Sequence, residues 1–482
     1  MHWNTAIGLE VHVELATNSK IFCNCSTEFG AAPNTQCCPI CTGLPGTLPV
    51  LNEKVVEYAT LAGLALGCEI QPYNRFDRKN YFYPDLPKSY QTSQHYLPLC
   101  RGGAVTITPP DGTQKTINLH GIHMEEDTGK RHRCPKKKTD YIDFNRAGIP
   151  LIEIITKPEI QTGEDTIAFL GHVKSVLAYL SVSDCQMHES SLRVDVNLSV
   201  NPSDSEVLGT RTEMKNLNSF RAIKRAIAHE SERQIQVLSS GKKVAQETRR
   251  WDDSKNQSFP MRAKEAASDY RYFPDPDIPP LLLDAGFIAN LKQNLPEFAS
   301  ARAARFVKTY HLTSEDAALL AESRPTAELF EAVAKEVTDP KEAANWLLGA
   351  FLHEASAQGK KPGAQVISKT AFIEFINAIT NGKISRTTGK QIFPRLFNGN
   401  EDIEAYIQTN NLTQISDAAT IQAAVDSVLR TNQKTVADYQ AGKTRAFSFL
   451  VGETMRTLSG KGNPIHIRKA IEDSISRDYI VL

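Results

Sequence analysis

Two close pairs of cysteines stand near the start of the chain, Cys23-x-Cys25 and Cys38-Pro-Ile-Cys41, separated by twelve residues. Four thiolates in two pairs suit tetrahedral zinc. A closed four-sulfur site is structural, because it leaves no coordination position for a substrate. Four free thiols in a packed loop is the competing reading, and the clustering favours metal. Cys37 is an extra thiol beside the second pair, whereas Cys68, Cys100, Cys134 and Cys185 stand alone and read as small apolar residues. A second constellation is acidic. Glu10 and His12 lie two apart, hence on one face of a strand, where a carboxylate and an imidazole can share a divalent cation. Glu125, Glu126 and Asp127 follow a hairpin signal, with His123 two residues ahead of Glu125. Glu153 interrupts an apolar run at 151–155, where a carboxylate is costly unless paired or metal-bound. Oxygen donors of this kind suit Mg²⁺, which keeps waters and bridges to phosphates. Each acid alone reads as a solvated or salt-bridged residue, and only convergence makes a site.

No nucleotide fingerprint accompanies these groups. The nearest approach to a phosphate loop, 382–391, has its glycines too far apart, and Gln391 stands where a Mg²⁺-binding Ser or Thr belongs, so it reads as a turn and a helix start. No G-x-G-x-x-G opens a β-α unit, and neither a G-x-S-x-G elbow nor an obvious amidase nucleophile is present.

Elements able to position these residues are legible from the pattern. Residues 6–15 and 193–200 alternate with period two, and 151–155 is an apolar run of the buried-strand type. Residues 105–108 and 116–119 flank Pro109-Pro110-Asp111-Gly112, a hairpin. A helical pattern over 217–238 stops at Gly241. Four prolines in 273–280 break the chain, and 287–357 is helical in texture. After a second seam near 398–402, three apolar stripes follow, namely Ile421/Val425/Val428/Leu429, Phe447/Leu450/Val451/Met455 and Ile467/Ile471/Ile475. The expected class is α+β: a mixed α/β cradle domain over 1–285, an all-helical domain over 286–398 and a small helical tail domain over 399–482.

The chain has 482 residues, 41% of them apolar and 23% charged, which fits a globular protein of several domains. Lys plus Arg equals Asp plus Glu at 55 each, unlike a strongly basic DNA wrapper. No apolar run approaches the ~20 residues of a membrane span, and the first residues lack the pattern of a signal peptide, so a cytoplasmic location with reduced thiols is the expectation.

Along nearly its whole length the sequence resembles the B subunits of the glutamyl/aspartyl-tRNA amidotransferases. The resemblance is carried by IGLEVHVEL from Ile7, CPICTGLPGTLPVLN from Cys38, RKNYFYPDLPKSYQTSQ from Arg78, HMEEDTGK from His123, DFNRAGIPLIEI from Asp143, TEMKNLNSFR from Thr212, QETRRWD from Gln246, DYRYFPDPD from Asp269 and FLVGE from Phe449, in the family's order. It implies a subunit of a heterotrimer that uses ATP and Mg²⁺ to phosphorylate the side-chain carboxyl of Glu-tRNA(Gln) or Asp-tRNA(Asn). Ammonia released from glutamine by the A subunit (a glutaminase) then displaces the phosphate, and a small C subunit clamps the other two. Carried over by position, Glu10, His12, Glu125 and Glu153 resemble the family's metal-binding and kinase-site residues. Lys79 and Tyr81 would contact ATP or the aminoacyl end. Glu189, Ser191, Arg193, Asp195 and Asn197, with Glu213, Lys215 and Asn216, fall in two further family segments and are second-rank binding candidates. Ser89 and Ser190 stand where the family usually has glycine, and Gln433 where it has proline. The tail resembles a tRNA-binding module, and 430–482 carries nine Lys/Arg against five Asp/Glu, with Lys443, Arg445, Lys461, Arg468 and Lys469 on or beside short helices. Two alternatives stand beside this reading: the related archaeal E subunit, for whose synthetase-like insertion 482 residues leave no room, and a tRNA-binding scaffold without kinase chemistry.

Overall fold

The computed structural model describes residues 2–134, 139–263, 270–360, 367–398 and 402–478. It divides into two compact units, Met1–Phe298 and Ala299–Leu482.

The first unit is built on a ten-stranded sheet, and its central strands carry the alternation seen in the sequence. The strand Trp3–Glu14 lies at the centre, antiparallel to Leu192–Pro202 on one side and to Pro150–Thr156 on the other. Pro150–Thr156 pairs in turn with the long strand Lys115–Glu126, whose first half forms the expected hairpin with Ala104–Ile107. Beyond Leu192–Pro202 come Thr212–Lys215, then Glu247–Asp252 in a parallel pairing, then Gln257–Ala263. Period two sorts these strands into faces. Leu9, Val11 and Val13 share the buried face with Ile122, Met124, Ile152, Ile154, Val194, Val196, Leu198 and Met214, all exposed by 3% or less. Helices Glu53–Ala65, Gly163–Tyr179 and Phe220–Ser239 supply residues to that core. Their starts are fixed by side-chain caps: Asn52, Thr162 and Ser219 accept from Lys54, Asp165 and Ala222 N–H. The Ser219 cap explains why the third helix begins at Phe220 instead of 217. Helix Ala285–Gln293 lies past the proline-rich break, and Ile288, Leu295 and Phe298 still pack against this first core.

The opposite face of the sheet carries the polar residues. A three-stranded sheet of Asp77–Asn80, Tyr90–Ser93 and Phe273–Pro274 contributes to its surroundings. Its second strand and Gln94 tie into Lys115–Glu126 through Gln91 Nε2 to Glu126 O (2.8 Å), Thr92 N to a Glu126 carboxylate oxygen (2.8 Å) and Met124 N to Gln94 Oε1 (3.1 Å).

The second unit is helical and holds two cores. One runs from Phe306 to Ile407, with Leu412 packed against it, and is dense in aromatic rings around Trp346, Phe372, Phe375 and Phe393. The other belongs to the four helices Ala418–Thr431, Gln433–Gln440, Thr444–Thr457 and Pro464–Asp478, and contains residues of all three expected stripes. The glycine-bearing segment at 382–391 is a turn at Gly382 (φ +67°) followed by helix Arg386–Ile392, capped by Ser385. Together these units make an α+β chain. Among the described residues no helix is long and apolar enough to cross a membrane.

Candidate functional site

The register of the central sheet brings distant acids together. His12 lies opposite Glu153, and Glu153 opposite His123, so three neighbouring strands present one row. Glu125 follows two residues after His123 on the same face. His12 Nε2 is 3.4 Å from Glu125 and 3.6 Å from Glu153, while His123 Nε2 is 2.7 Å from Glu153 and 3.7 Å from Glu125. His12, Glu125 and Glu153 each offer a ligand atom within 4.8 Å of the others, close enough for one cation. Burial opposes the charge on His123, but the Glu153 and Glu125 carboxylates push it up to about 10. Burial likewise opposes ionisation of Glu153, and the two imidazoles nevertheless hold its carboxyl well below the usual range. The centre therefore stabilises negative charge by clustering positive groups around it, which a divalent cation would also do.

Glu10 faces the other flank. It lies opposite Asp195, and Asn197 lies opposite Glu213, so Glu10, Asp195 and Glu213 gather within 4.8 Å as a second group. Sequence pattern places Glu10 and His12 on one face; the structure divides them between two adjacent groups. Burial first, then the carboxylates of Glu153, Glu213 and Asp195, raise the Glu10 carboxyl above its ordinary value. Lys215 bridges Asp195 and Glu213, the latter at 3.2 Å. Asn197 donates to Glu10 at 3.0 Å, and its own carbonyl oxygen is buried without a donor. An uncompensated oxygen amid crowded carboxylates is a donor set of the kind that hard cations prefer.

Lys79 sits in an aromatic cage, with Nζ 5.0 Å from the Tyr270 ring and 5.9 Å from Tyr81. Burial works against its charge, while Tyr272, Glu125 and Glu153 raise its pKa, so its ammonium feels the metal group directly. Arg193 Nη2 donates to Asp127 at 3.0 Å, and Arg146 pairs with the same carboxylate. Ser191 and Asn216 are occupied locally: Ser191 binds Asp184 and accepts from Gln186 N, and Asn216 holds Trp251 O at 2.9 Å. Glu189 sits at the turn before Ser191 and borders a cavity that Glu14 also lines. Ser89 and Ser190 adopt φ of +62° and +64°, the left-handed conformation that glycine takes most easily.

The cysteines converge as their spacing suggests. Sγ atoms of Cys23, Cys25, Cys38 and Cys41 lie within 4.8 Å of one another, and Cys38 to Cys41 is 3.9 Å. Tetrahedral zinc at ~2.3 Å from each sulfur needs edges of roughly 3.8 Å, so the residues fit the ion. A hydrogen bond from Cys23, with the Cys38 N–H and the Lys20 ammonium, lowers the Cys41 pKa. Lys20 is fully buried with Nζ 3.5 Å from Cys41 Sγ and 3.3 Å from Phe144 O. Cys68, Cys100 and Cys185 are buried, free thiols.

In the tail, Lys443, Arg445, Arg468 and Lys469 are exposed and Lys461 is half-buried. Lys443 pairs with Asp438 at 2.8 Å, and the Arg468 guanidinium lies 5.3 Å over Phe447.

Sequence reasoning notes His123 and Asp127 beside Glu125 without giving them a role and passes over Glu14, though parity with Glu125 and His12 places all three on the same face. Comparison with known proteins shows the family. Residues 5–289 match the family model of the GatB/GatE catalytic domain, and 328–475 match that of the GatB domain. The chain is 48% identical over 475 residues to the B subunit of the aspartyl/glutamyl-tRNA(Asn/Gln) amidotransferase of Lachnoclostridium phytofermentans, covering 98% of this chain and 99% of that one. It is 48% identical over 480 residues to the protein of the same name in Caldicellulosiruptor bescii, covering 99% and 100%. The corresponding figure for Carboxydothermus hydrogenoformans is 45% over 478 residues, covering 98% and 99%.

Proposed function

The chain belongs to the GatB family, and on that premise we propose that it activates and amidates the side-chain carboxyl of Glu-tRNA(Gln) or Asp-tRNA(Asn) within a tRNA-dependent amidotransferase. The observation that carries this reading is the convergence of His12, Glu125 and Glu153 on one face of the sheet. A carboxylate resists attack by ammonia, because oxide is not a leaving group. Transfer of the γ-phosphoryl group of ATP to that carboxylate gives an acyl phosphate and ADP. Ammonia then adds to the carbonyl carbon, inorganic phosphate departs, and the nitrogen loses a proton as the amide forms.

His12, Glu125 and Glu153 would hold Mg²⁺, with Glu10, Asp195 and Glu213 available for a second ion. When bound, Mg²⁺ neutralises the transferring phosphoryl group. Lys79 supplies a fixed positive charge beside the same carboxylates and is held by its tyrosines, so it orients anionic substrate without swinging. The cysteine cluster holds structural zinc. Because the chain lacks an evident glutaminase nucleophile, ammonia comes from an A subunit, with a C subunit completing a heterotrimer in the cytoplasm. Lys443, Arg445, Lys461, Arg468 and Lys469 contact the phosphates of the tRNA body. The test is amide formation by the reconstituted complex from mischarged tRNA, ATP and ammonia. ATP hydrolysis stimulated by mischarged tRNA supports the kinase reading. tRNA binding with no ATP turnover would leave a scaffold subunit in its place.

A further inference from the structure

Glu14 continues the row begun by Glu10 and His12 on the polar face of the Trp3–Glu14 strand, yet neither metal-sized group includes it. Its backbone is fixed, since its N–H donates to Ser191 O at 2.9 Å and the residue lies opposite Leu151 in the neighbouring strand. Among the described residues its half-buried carboxylate makes no hydrogen bond or ion pair. Of the cations nearby, Arg146 and Arg193 both bind Asp127, Arg146 also donates to Ser190 O at 2.9 Å, and Lys130, which lines the same cavity, is exposed to solvent. Glu14 instead borders a cavity of about 270 Å³, which Arg146, Glu189 and the exposed Phe29 also line. A carboxylate withdrawn from water without a partner is costly, and such a group facing a cavity is suited to a cationic ligand.

The reaction of the preceding subsection, on which this inference rests, brings such a cation. An aminoacyl ester carries its reacting carboxylate at one end and an α-ammonium group at the other. Two residues along a strand span roughly 7 Å, which sets the separation of His12 and Glu14. In a glutamyl group the side-chain carboxyl carbon and the α-nitrogen lie roughly 5 Å apart. Adding a charge-assisted hydrogen bond of about 2.8 Å brings the ammonium to Glu14 while the carboxylate sits at the His12–Glu125–Glu153 centre. We propose that Glu14 binds the α-ammonium group of the aminoacyl ester, orienting the amino acid with its side-chain carboxyl toward the metal group and its ester toward the adjoining cavity. Glu14 is thus a substrate-binding residue that separates free aminoacyl-tRNA from N-blocked aminoacyl-tRNA.

The experiment compares Glu-tRNA(Gln) with N-acetyl-Glu-tRNA(Gln) as substrates of the reconstituted complex, for the wild type and for Glu14→Gln, which preserves shape. Glutaminase activity of the complex reports its integrity. In the wild type acetylation should raise KM by about ten- to a hundredfold, the range of a lost hydrogen bond to a charged group. In Glu14→Gln the KM for Glu-tRNA(Gln) should rise toward the N-acetyl value, with kcat changing less, and the two substrates should become nearly equivalent. A discrimination ratio unchanged by the substitution would mean that acetylation acts by bulk alone, and would overturn the assignment. Equal KM values in the wild type would overturn it without any variant. Loss of amide formation from both tRNAs in the wild type would remove the kinase reading as well, so the two failures are distinguishable.

Discussion

The polar face of the sheet and the tail helices carry similar residues under opposite constraints. On the sheet, Arg193 and Arg146 share Asp127, Lys215 bridges Asp195 and Glu213, and Lys88 is pinned to Glu126. In the tail most cations stand exposed on short helices, and the ion pairs Lys443–Asp438 and Arg456–Glu453 are surface pairs. Fixed charges can be aimed at a reacting centre and lose no entropy when it forms. Mobile surface charges suit a polyanion, whose affinity comes from counterion release and tolerates imprecise geometry.

The largest consequence of this contrast is chemical. Glu125→Gln should reduce amide formation by about a thousandfold or more, the size of several kcal/mol of lost metal-centred stabilisation. Neutralising all five tail cations should leave the rate at saturating tRNA within about twofold of wild type. A single-turnover assay decides; equal losses from both variants would erase the distinction.

Metal content comes next. Elemental analysis should find one zinc per chain, and Cys38→Ser should abolish it and lower the melting temperature, because structural zinc contributes directly to folding. A metal-free preparation with unchanged melting behaviour would remove zinc from the first unit's fixed framework.

Stability separates the regions further. Asp127→Asn leaves two arginines without their shared partner and should cost about 3 kcal/mol in urea unfolding of the first unit. Neutralising tail cations should fall within about 0.5 kcal/mol, as surface substitutions do. Binding reverses the order: a chain ending after Thr413, past the last residues of the aromatic-rich core, should bind tRNA roughly tenfold more weakly. Removing two or three of the five cations should lower the slope of log K against log salt by about two or three. Gel-shift titrations across salt concentrations measure both.

The smallest effect concerns backbone strain. Ser190→Gly should stabilise the first unit by up to about 1 kcal/mol, since φ of +64° is strained for serine.

Much of this was legible in the sequence, and the boundary is physical. Alternation located the strands and sorted Glu10, His12, Arg193 and Asp195 onto faces, because side-chain parity is a local property of an extended chain. The cysteine pairs announced their cluster for the same reason: close spacing limits how far apart they can be. Parity does not say which strands are neighbours. That Glu10 meets Asp195 and Glu213 while His12 meets Glu153 and Glu125 is set by pairings between residues far apart in the chain, and no window of sequence contains them. His123 and Asp127 are visible beside Glu125 in the sequence, but their roles are not, because those are defined by partners across the sheet. Residue types and spacing singled out Glu10, Glu125 and Glu153, the resemblance added Asp195 and Glu213, and the geometry supplied their grouping.

The central strand has a further consequence, in time. Trp3–Glu14 is made well before its partner Leu192–Pro202, which emerges roughly 190 residues later. At about 5–20 residues per second, the nascent chain holds that edge of the strand unpaired for roughly ten to forty seconds. Throughout that interval Leu9, Val11 and Val13 have no complete core, and the edge of the strand that Leu192–Pro202 will cover offers unpaired backbone groups. A delay that long invites chaperone capture. Because the same register sets core and centre, the arrival of the later strand covers the apolar row and sets Asp195 beside Glu10 in a single event.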